Sequence, residues 1–112
     1  MVVTYIPDRG DIIWINFDPQ VGHEQAGHRP ALVVSRRAYN RLSELLICFP
    51  IRSRQKGYGF EVPLPSNFEV KGVVLADQIK SMDWRLREAR FFAKAPASVL
   101  AETLGKVKTL LK

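Results

Sequence analysis

Six short apolar runs, separated by polar turns, precede one amphipathic helix, and this succession constrains the fold more than any other feature. Each run is at most eight residues long and carries β-branched, leucine or aromatic side chains, which is typical of strands. The runs occupy residues 11–17, 29–35, 45–51, 60–64, 72–79 and 88–94. Between them, residues 36–43 predict one or two helical turns and residues 81–87 a turn or short coil. The sequence therefore predicts a mainly β fold, as a small antiparallel barrel or a strongly bent sheet.

The only clear helix is predicted at the C-terminus, over residues 96–111. Leu100, Leu104, Val107 and Leu111 recur at the spacing of one helical face. Pro96 suits the first turn of a helix, with Ser98 as an alternative cap.

Several large or reactive side chains are predicted to lie in the core. Trp14 stands in a strand that is apolar at nearly every position, and Trp84 follows a polar segment; burial is predicted for both. Phe91 and Phe92 are predicted to supply core from the last strand. Cys48, the only cysteine, sits in an apolar run and is predicted to be a buried thiol, so neither a disulfide nor a zinc knuckle is expected.

Length and hydropathy predict one domain over residues 1–112. No apolar run approaches the roughly 20 residues of a membrane span. The N-terminus lacks the basic head and apolar core of a signal peptide. A cytoplasmic protein without a membrane partner is expected.

The charge is positive and unevenly placed. The formal net charge is +6, and residues 28–56 hold six arginines and one lysine against Glu44 alone. Arginine suits planar, multidentate contact with phosphate, which a merely solubilising face would not require. The distribution predicts a polyanionic partner, either nucleic acid or an acidic protein segment.

A polar loop between the first two strands holds the densest group of reactive side chains. His23, Glu24, His28 and Arg29 stand within residues 22–30, and the two glycines of this segment, at 22 and 27, make it easy to bend. Pro30 biases Arg29 toward extended geometry, at a strand mouth. The histidine spacing in a loop gives no persuasive metal site. We therefore predict a working site without a metal.

Motifs along nearly the whole chain resemble the MazF/PemK family of toxin endoribonucleases. In order, they are PDRGDIIW at residues 7–14, FDP at 17–19, GHEQAGHRP at 22–30, KGY at 56–58, FEV at 60–62, VLADQIKS at 74–81 and DWR at 83–85. The resemblance implies a small SH3-like antiparallel barrel of the CcdB/Kid/MazF type, with short helices, a C-terminal α-helix and a homodimeric state. It also implies a metal-independent, cofactor-free, sequence-specific endoribonuclease for single-stranded RNA or mRNA. Such an enzyme leaves 2′,3′-cyclic phosphate and 5′-hydroxyl ends, and its cognate antitoxin covers the site with an acidic tail.

The resemblance also implies roles for individual residues. Arg29 matches the catalytic arginine, Glu24 the acidic residue of the same loop, and Gln78 a position associated with RNA contact. Acid–base groups and a fixed cation suffice for this chemistry, with Glu24 or a histidine as base. The further candidates for RNA contact are His23, Gln25, His28, Arg54, Lys56, Tyr58, Asp77 and Lys80.

One departure from the family pattern concerns the third strand. Family members usually carry a threonine soon after the proline that matches Pro50, whereas this chain has Arg52 followed by Ser53. A guanidinium has no acceptor and cannot replace a hydroxyl. Ser53 could supply the hydroxyl, although neighbouring strand residues face opposite sides. Otherwise Arg52 adds phosphate affinity while another group transfers the proton, or the protein is a weak or inactive member. The alternative function is therefore non-catalytic binding of RNA, of the antitoxin or of another protein target.

Overall fold

A computed structural model of the protein describes residues 5–18 and 27–111. The elements in chain order are β1 Asp11–Asn16, β2 His28–Val33, α1 Arg37–Ser43, β3 Leu45–Arg52, β4 Glu61–Pro63, β5 Val73–Leu75, β6 Lys80–Asp83, β7 Arg90–Lys94 and α2 Ala97–Leu110. The predicted mainly β fold with a C-terminal helix is confirmed. Within the described residues, neither helix has the length and apolarity needed to cross a membrane.

The strands form an antiparallel sheet in the order β4-β5-β3-β2-β1-β7, with β6 attached to β3. β3 is shared: β2 pairs along one of its edges, while β6 and β5 pair along successive parts of the other. Across the described strands the pairing follows an open path from β4 to β7. The end of β3, at Ile51 and Arg52, is where β5 joins.

Two hydrophobic clusters lie on opposite faces of the sheet, because successive strand residues point to opposite sides. The face that packs against α2, here called the helix face, buries Ile12, Leu32, Phe49 and Ile51 together with Val99 of α2. The other, here called the second face, buries a separate cluster. Its members are Ile13, Ile15, Phe17, Ala31, Val33, Leu46, Cys48, Met82 and Trp84.

Two predicted segments differ from the structure. Residues 81–87 were expected to be coil, but β6 covers Lys80–Asp83 and pairs with the first half of β3, so that expectation was wrong there. Its sequence offers only Met82 as an apolar residue, and pairing with a distant strand decides the conformation. The strand expected over residues 72–79 is shorter, because the chain turns after Leu75, whose carbonyl accepts from the Gln78 N–H at 3.1 Å.

Three aromatic side chains predicted to be core are exposed, and those predictions were wrong. Trp14 is 39% exposed, Phe91 53% and Phe92 39%. β7 is the last strand of the sheet, so its side chains lack a neighbour on one side. Trp14 instead makes an edge-to-face contact with Phe92, with ring centroids 6.0 Å apart. The predicted burial of Trp84 and Cys48 is confirmed.

A buried asparagine joins α1 to the rest of the chain. Asn40 is fully buried, and its amide donates to the carbonyl of Pro7 at 2.8 Å and that of Ser35 at 3.1 Å. The Ser35 hydroxyl donates to its Oδ1 at 2.6 Å. The indole N–H of Trp84 donates to its backbone carbonyl at 2.8 Å.

A glycine sets the distance between β5 and β3. Gly72 has φ +118°, a value that side chains rarely adopt, and a Cβ placed on it would lie 2.0 Å from the carbonyl oxygen of Arg52. Only glycine permits this approach, which brings β5 against the end of β3.

Candidate functional site

The loop between β1 and β2 is closed at its base. The backbone of Phe17 donates to the carbonyl of Gly27 at 2.8 Å, and the Gly27 N–H donates to a carboxylate oxygen of Asp18 at 2.8 Å. His28 and Arg29 follow directly, as the first residues of β2. The predicted site residues His23, Glu24 and Gln25 lie outside the described residues.

A cavity of about 380 Å³ opens at the start of β2. It is lined by Trp14, His28, Arg29, Pro30, Ile51, Ser53 and Lys71. The strand register explains much of this set, because Trp14 pairs with Pro30 and cross-strand partners share a face. Sequence reasoning missed Trp14 and Lys71. The position of Trp14 could have been predicted, because the alternation of β1 places it on the same side as the polar Asn16. No feature of the sequence around Lys71 predicts that it lines the cavity.

Arg29 and Ser53 line the same cavity, together with Ile51. Arg29 is on β2, where it pairs with Ile15 of β1. The pairing of β2 with β3 runs from Val33–Cys48 to Ala31–Pro50, and Arg29, Arg52 and Ser53 lie beyond it. The structure thus brings Ser53, rather than Arg52, to the cavity that Arg29 lines.

Arg52 is held by a buried carboxylate that sequence reasoning did not single out. Its guanidinium forms an ion pair with Glu61, which is only 3% exposed, and its Nε donates to the carbonyl of Arg54 at 2.8 Å. The backbone N–H groups of Lys56 and Gly57 also donate to Glu61, at 3.1 Å and 2.9 Å. Glu61 alternates with apolar neighbours in β4, a pattern that predicts an exposed side chain and so hid this role.

These contacts keep Glu61 charged. Burial alone would raise the pKa of its carboxyl, but the N–H groups of Lys56 and Gly57 and the Arg52 guanidinium outweigh burial, and the pKa lies below its ordinary value. A buried ionised carboxylate surrounded by donors is stable only while those donors stay in place. Arg52 and the neighbouring backbone are therefore fixed together.

The segment after Arg52, residues 53–60, presents a basic and aromatic surface. Arg54, Lys56 and Tyr58 are exposed, and the Tyr58 ring stacks on Phe60 with centroids 5.3 Å apart and an interplanar angle of 25°. Lys106 of α2 donates to the carbonyl of Gly59. Cationic groups beside an exposed aromatic ring can contact phosphates and stack on a base.

The remaining predicted residues follow β5. Asp77 is exposed in the turn, and partial burial of its carboxyl raises the pKa, with the Glu61 charge acting in the same direction and Arg52 against it. The side-chain oxygen of Gln78 is buried and accepts no hydrogen bond from the described residues. Lys80 is half-buried on β6 opposite Cys48, on the second face. In residues 5–18 and 27–111, no three His, Cys, Asp or Glu side chains are grouped to hold a metal ion, and the metal-free site stays a prediction.

Comparison with known proteins gives a consistent family match. A family model described as PemK-like, MazF-like toxin of type II toxin–antitoxin system matches residues 8–111. The chain is 54% identical over 89 residues to the endoribonuclease toxin MazF of Escherichia coli strain K12, an alignment that covers 80% of this chain and 79% of that relative. It is 39% identical over 110 residues to the endoribonuclease toxin ChpB of the same strain, covering 94% of each.

Solved structures agree with the sequence comparison. The structure of MazF (Form-I) from Deinococcus radiodurans matches with a TM-score of 0.93 at 56% identity, covering 96% of this chain and 98% of that one. A MazE–MazF structure (Form-II) from the same organism matches with a TM-score of 0.87 at 56% identity, covering 96% and 97%. The fold described above is that of these MazF structures.

Proposed function

The chain belongs to the PemK-like, MazF-like family of toxins of type II toxin–antitoxin systems, and we propose on that premise that it cleaves single-stranded RNA or mRNA at short specific sequences without a metal ion. Curated relatives that are similar to it in sequence are named endoribonucleases. The main support from the geometry is the cavity at the start of β2, which Arg29 lines together with His28, Ser53 and Lys71. The cationic side chains of Arg29 and Lys71 would meet a phosphate there.

The chemistry we propose uses the RNA itself as nucleophile. The ribose 2′-oxygen bonds to the adjacent phosphorus, and the bond from phosphorus to the 5′-oxygen breaks. The products are a 2′,3′-cyclic phosphate and a 5′-hydroxyl. Glu24 takes the proton of the 2′-hydroxyl, and the departing 5′-oxygen takes a proton from solvent water. Arg29 stabilises the charge that develops on the phosphate.

Arg52 has an electrostatic role in this proposal. It stays charged and has no acceptor, so it cannot move a proton at the reacting atoms. Its ion pair with Glu61 fixes the position of its guanidinium. Ser53 lines the cavity with Arg29, which suits contact of its hydroxyl with the phosphate that Arg29 meets. We expect His28, Arg54, Lys56, Tyr58, Asp77, Gln78 and Lys80 to line the RNA path, together with His23 and Gln25.

The same surface suits an antitoxin with an acidic tail. The similar Deinococcus radiodurans structures include MazE–MazF complexes. The exposed cations of residues 53–60 and the cationic rim of the cavity would attract acidic side chains. We propose that a cognate antitoxin covers this site, and that the toxin acts in the cytoplasm as a homodimer of single-domain chains.

Position 52 also favours a second function. With arginine where the family usually has a threonine, the site can bind RNA, the antitoxin or another protein target without cleaving RNA. The ion pair with Glu61 supports this alternative, because it occupies the Arg52 guanidinium in a structural contact.

Incubation with a long single-stranded RNA in excess EDTA, followed by mapping of fragment ends, separates the two functions. Discrete cuts with 5′-hydroxyl ends are expected, and Arg29→Ala should abolish them. Arg41→Ala is the matched control, since Arg41 is an exposed arginine on α1, before the start of β3. RNA that is bound but uncut by the wild-type protein would overturn the nuclease and favour the binding function.

A further inference from the structure

We propose that Glu61 is a positioning residue for RNA recognition, which holds the segment 53–60 in its RNA-binding shape before RNA arrives. This inference rests on the function proposed above. Glu61 is buried and touches neither RNA nor the reacting atoms. It acts through the residues that it fixes.

One guanidinium and two backbone N–H groups converge on the carboxylate of Glu61. Glu61 is 3% exposed, pairs with the Arg52 guanidinium and accepts the backbone N–H groups of Lys56 and Gly57. Gly57 has φ +85°, and this left-handed conformation lets successive N–H groups point inward to one anion. Arg52 closes the arrangement by donating from Nε to the carbonyl of Arg54. The chain from residue 52 to residue 57 is thus wrapped around Glu61.

The segment 53–60 exposes one aromatic ring and two cationic side chains to solvent. Tyr58 is 53% exposed and stacks on Phe60, so one ring face is available to a nucleobase. Arg54 and Lys56 are exposed on the same segment. Without an internal anion, Arg52, Arg54 and Lys56 would repel one another within five positions of sequence. Glu61 offsets that repulsion and leaves Tyr58 oriented.

Order in the segment 53–60 should strengthen RNA binding, because a segment that is already ordered loses less conformational entropy when it binds its ligand. Stacking of a base on Tyr58 is expected to contribute about tenfold to RNA affinity. In Glu61→Gln the segment should be free to leave this shape, and most of that factor should be lost. The Glu61→Gln change makes the protein more positive, so electrostatics alone would strengthen RNA binding. A positioning role predicts the opposite sign.

The test is a double-mutant cycle on Glu61→Gln and Tyr58→Ala. Affinity is measured by fluorescence anisotropy with a single-stranded 2′-O-methyl RNA, which lacks the nucleophilic hydroxyl. The temperature is one at which circular dichroism shows every variant folded. Tyr58→Ala should weaken binding about tenfold in the wild-type background and less than about twofold in the Glu61→Gln background. Amide exchange at Lys56 and Gly57 should be faster in Glu61→Gln.

Asp11→Asn is the matched control for loss of a buried carboxylate. Asp11 is 2% exposed and accepts from the Lys94 ammonium at 2.8 Å and from the Tyr5 hydroxyl. Its change should lower stability while Tyr58→Ala still weakens RNA binding about tenfold. Tighter RNA binding by Glu61→Gln, or an undiminished Tyr58→Ala effect in that background, would overturn the positioning role alone. A wild-type protein that binds no RNA would overturn the proposed function and this inference with it.

Discussion

Replacement of Gly72 by alanine should separate β5 from the end of β3. A Cβ at this position would lie 2.0 Å from the Arg52 carbonyl oxygen and 2.9 Å from the Ser53 Cα, whereas ordinary contacts begin at 3.4 Å. Every atom in the way belongs to the backbone, so no side chain can rotate to make room. The strands would have to part by about 1.4 Å, which stretches ladder hydrogen bonds beyond their useful length.

The cost of Gly72→Ala follows from two contributions. An alanine held at φ +118° is strained by about 1–3 kcal/mol. Loss of the pairing of Ile51 and Arg52 with β5 removes one or two ladder hydrogen bonds, each worth about 1 kcal/mol. The free energy of unfolding should fall by about 2–5 kcal/mol, which is a large share of the about 5–15 kcal/mol of an ordinary domain. The melting temperature should fall by about 10–20 °C.

Urea and thermal unfolding followed by circular dichroism measure both quantities. Gly59→Ala is the control, because no atom lies within 4 Å of a Cβ at that position and its φ is not in the left-handed range. Its free energy of unfolding should stay within about 0.5 kcal/mol of the wild-type value. If Gly72→Ala unfolds within about 1 kcal/mol of the wild type, the close approach of β5 to Arg52 is refuted, and with it the strain estimated here.

Three further predictions concern stability. Asn40→Ala removes two donated hydrogen bonds and one accepted from Ser35, so urea unfolding should show a loss of about 2–3 kcal/mol; an unchanged midpoint would contradict the buried network. Gly105→Ala, in the middle of α2 with open space around it, should raise the melting temperature through a gain of about 0.5–1 kcal/mol, and a decrease would show an unrecognised contact. The Glu61 pKa is lowered by folding, so its stabilisation is complete above the unfolded value of 4.5 and is lost as the pH falls through the lower folded value. Unfolding measured from pH 7 to pH 3 should therefore show a weaker pH dependence for Glu61→Gln than for the wild type.

Local patterns in the sequence were sufficient for most elements of the fold. The alternation around Ile13 and the apolar run that contains Cys48 each correspond to observed strands, and the helical stripe of Leu100 and Val107 corresponds to α2. β6 was missed because its conformation comes from pairing with β3 rather than from its own residues. Burial of Trp14 was wrongly expected because hydrophobicity does not tell how far the neighbouring elements cover a strand.

For the site, the sequence located the residues but not their relations. Arg29, Arg52 and Ser53 were all named in advance, yet only the structure shows that Ser53, and not Arg52, lines a cavity with Arg29. The Arg52–Glu61 pair joins side chains from β3 and β4, which each pair with β5 between them. No spacing of residues in the sequence predicts such a contact. From the sequence alone, arginine at position 52 suggests a defective site. In the structure, the guanidinium of Arg52 forms an ion pair with the buried Glu61 of β4.

The pairing of β1 with β7 has a consequence for the order in which the protein can be made. Asp11 pairs with Lys94, so the two strands that meet at this edge are 83 positions apart in sequence. A nascent chain exposes one side of β1 until residues 90–94 have left the ribosome, since those residues supply its neighbour. The long separation also slows the closing of this pair relative to the β1–β2 hairpin. The sheet therefore cannot be completed before β7, the last of its described strands to be synthesised, has left the ribosome.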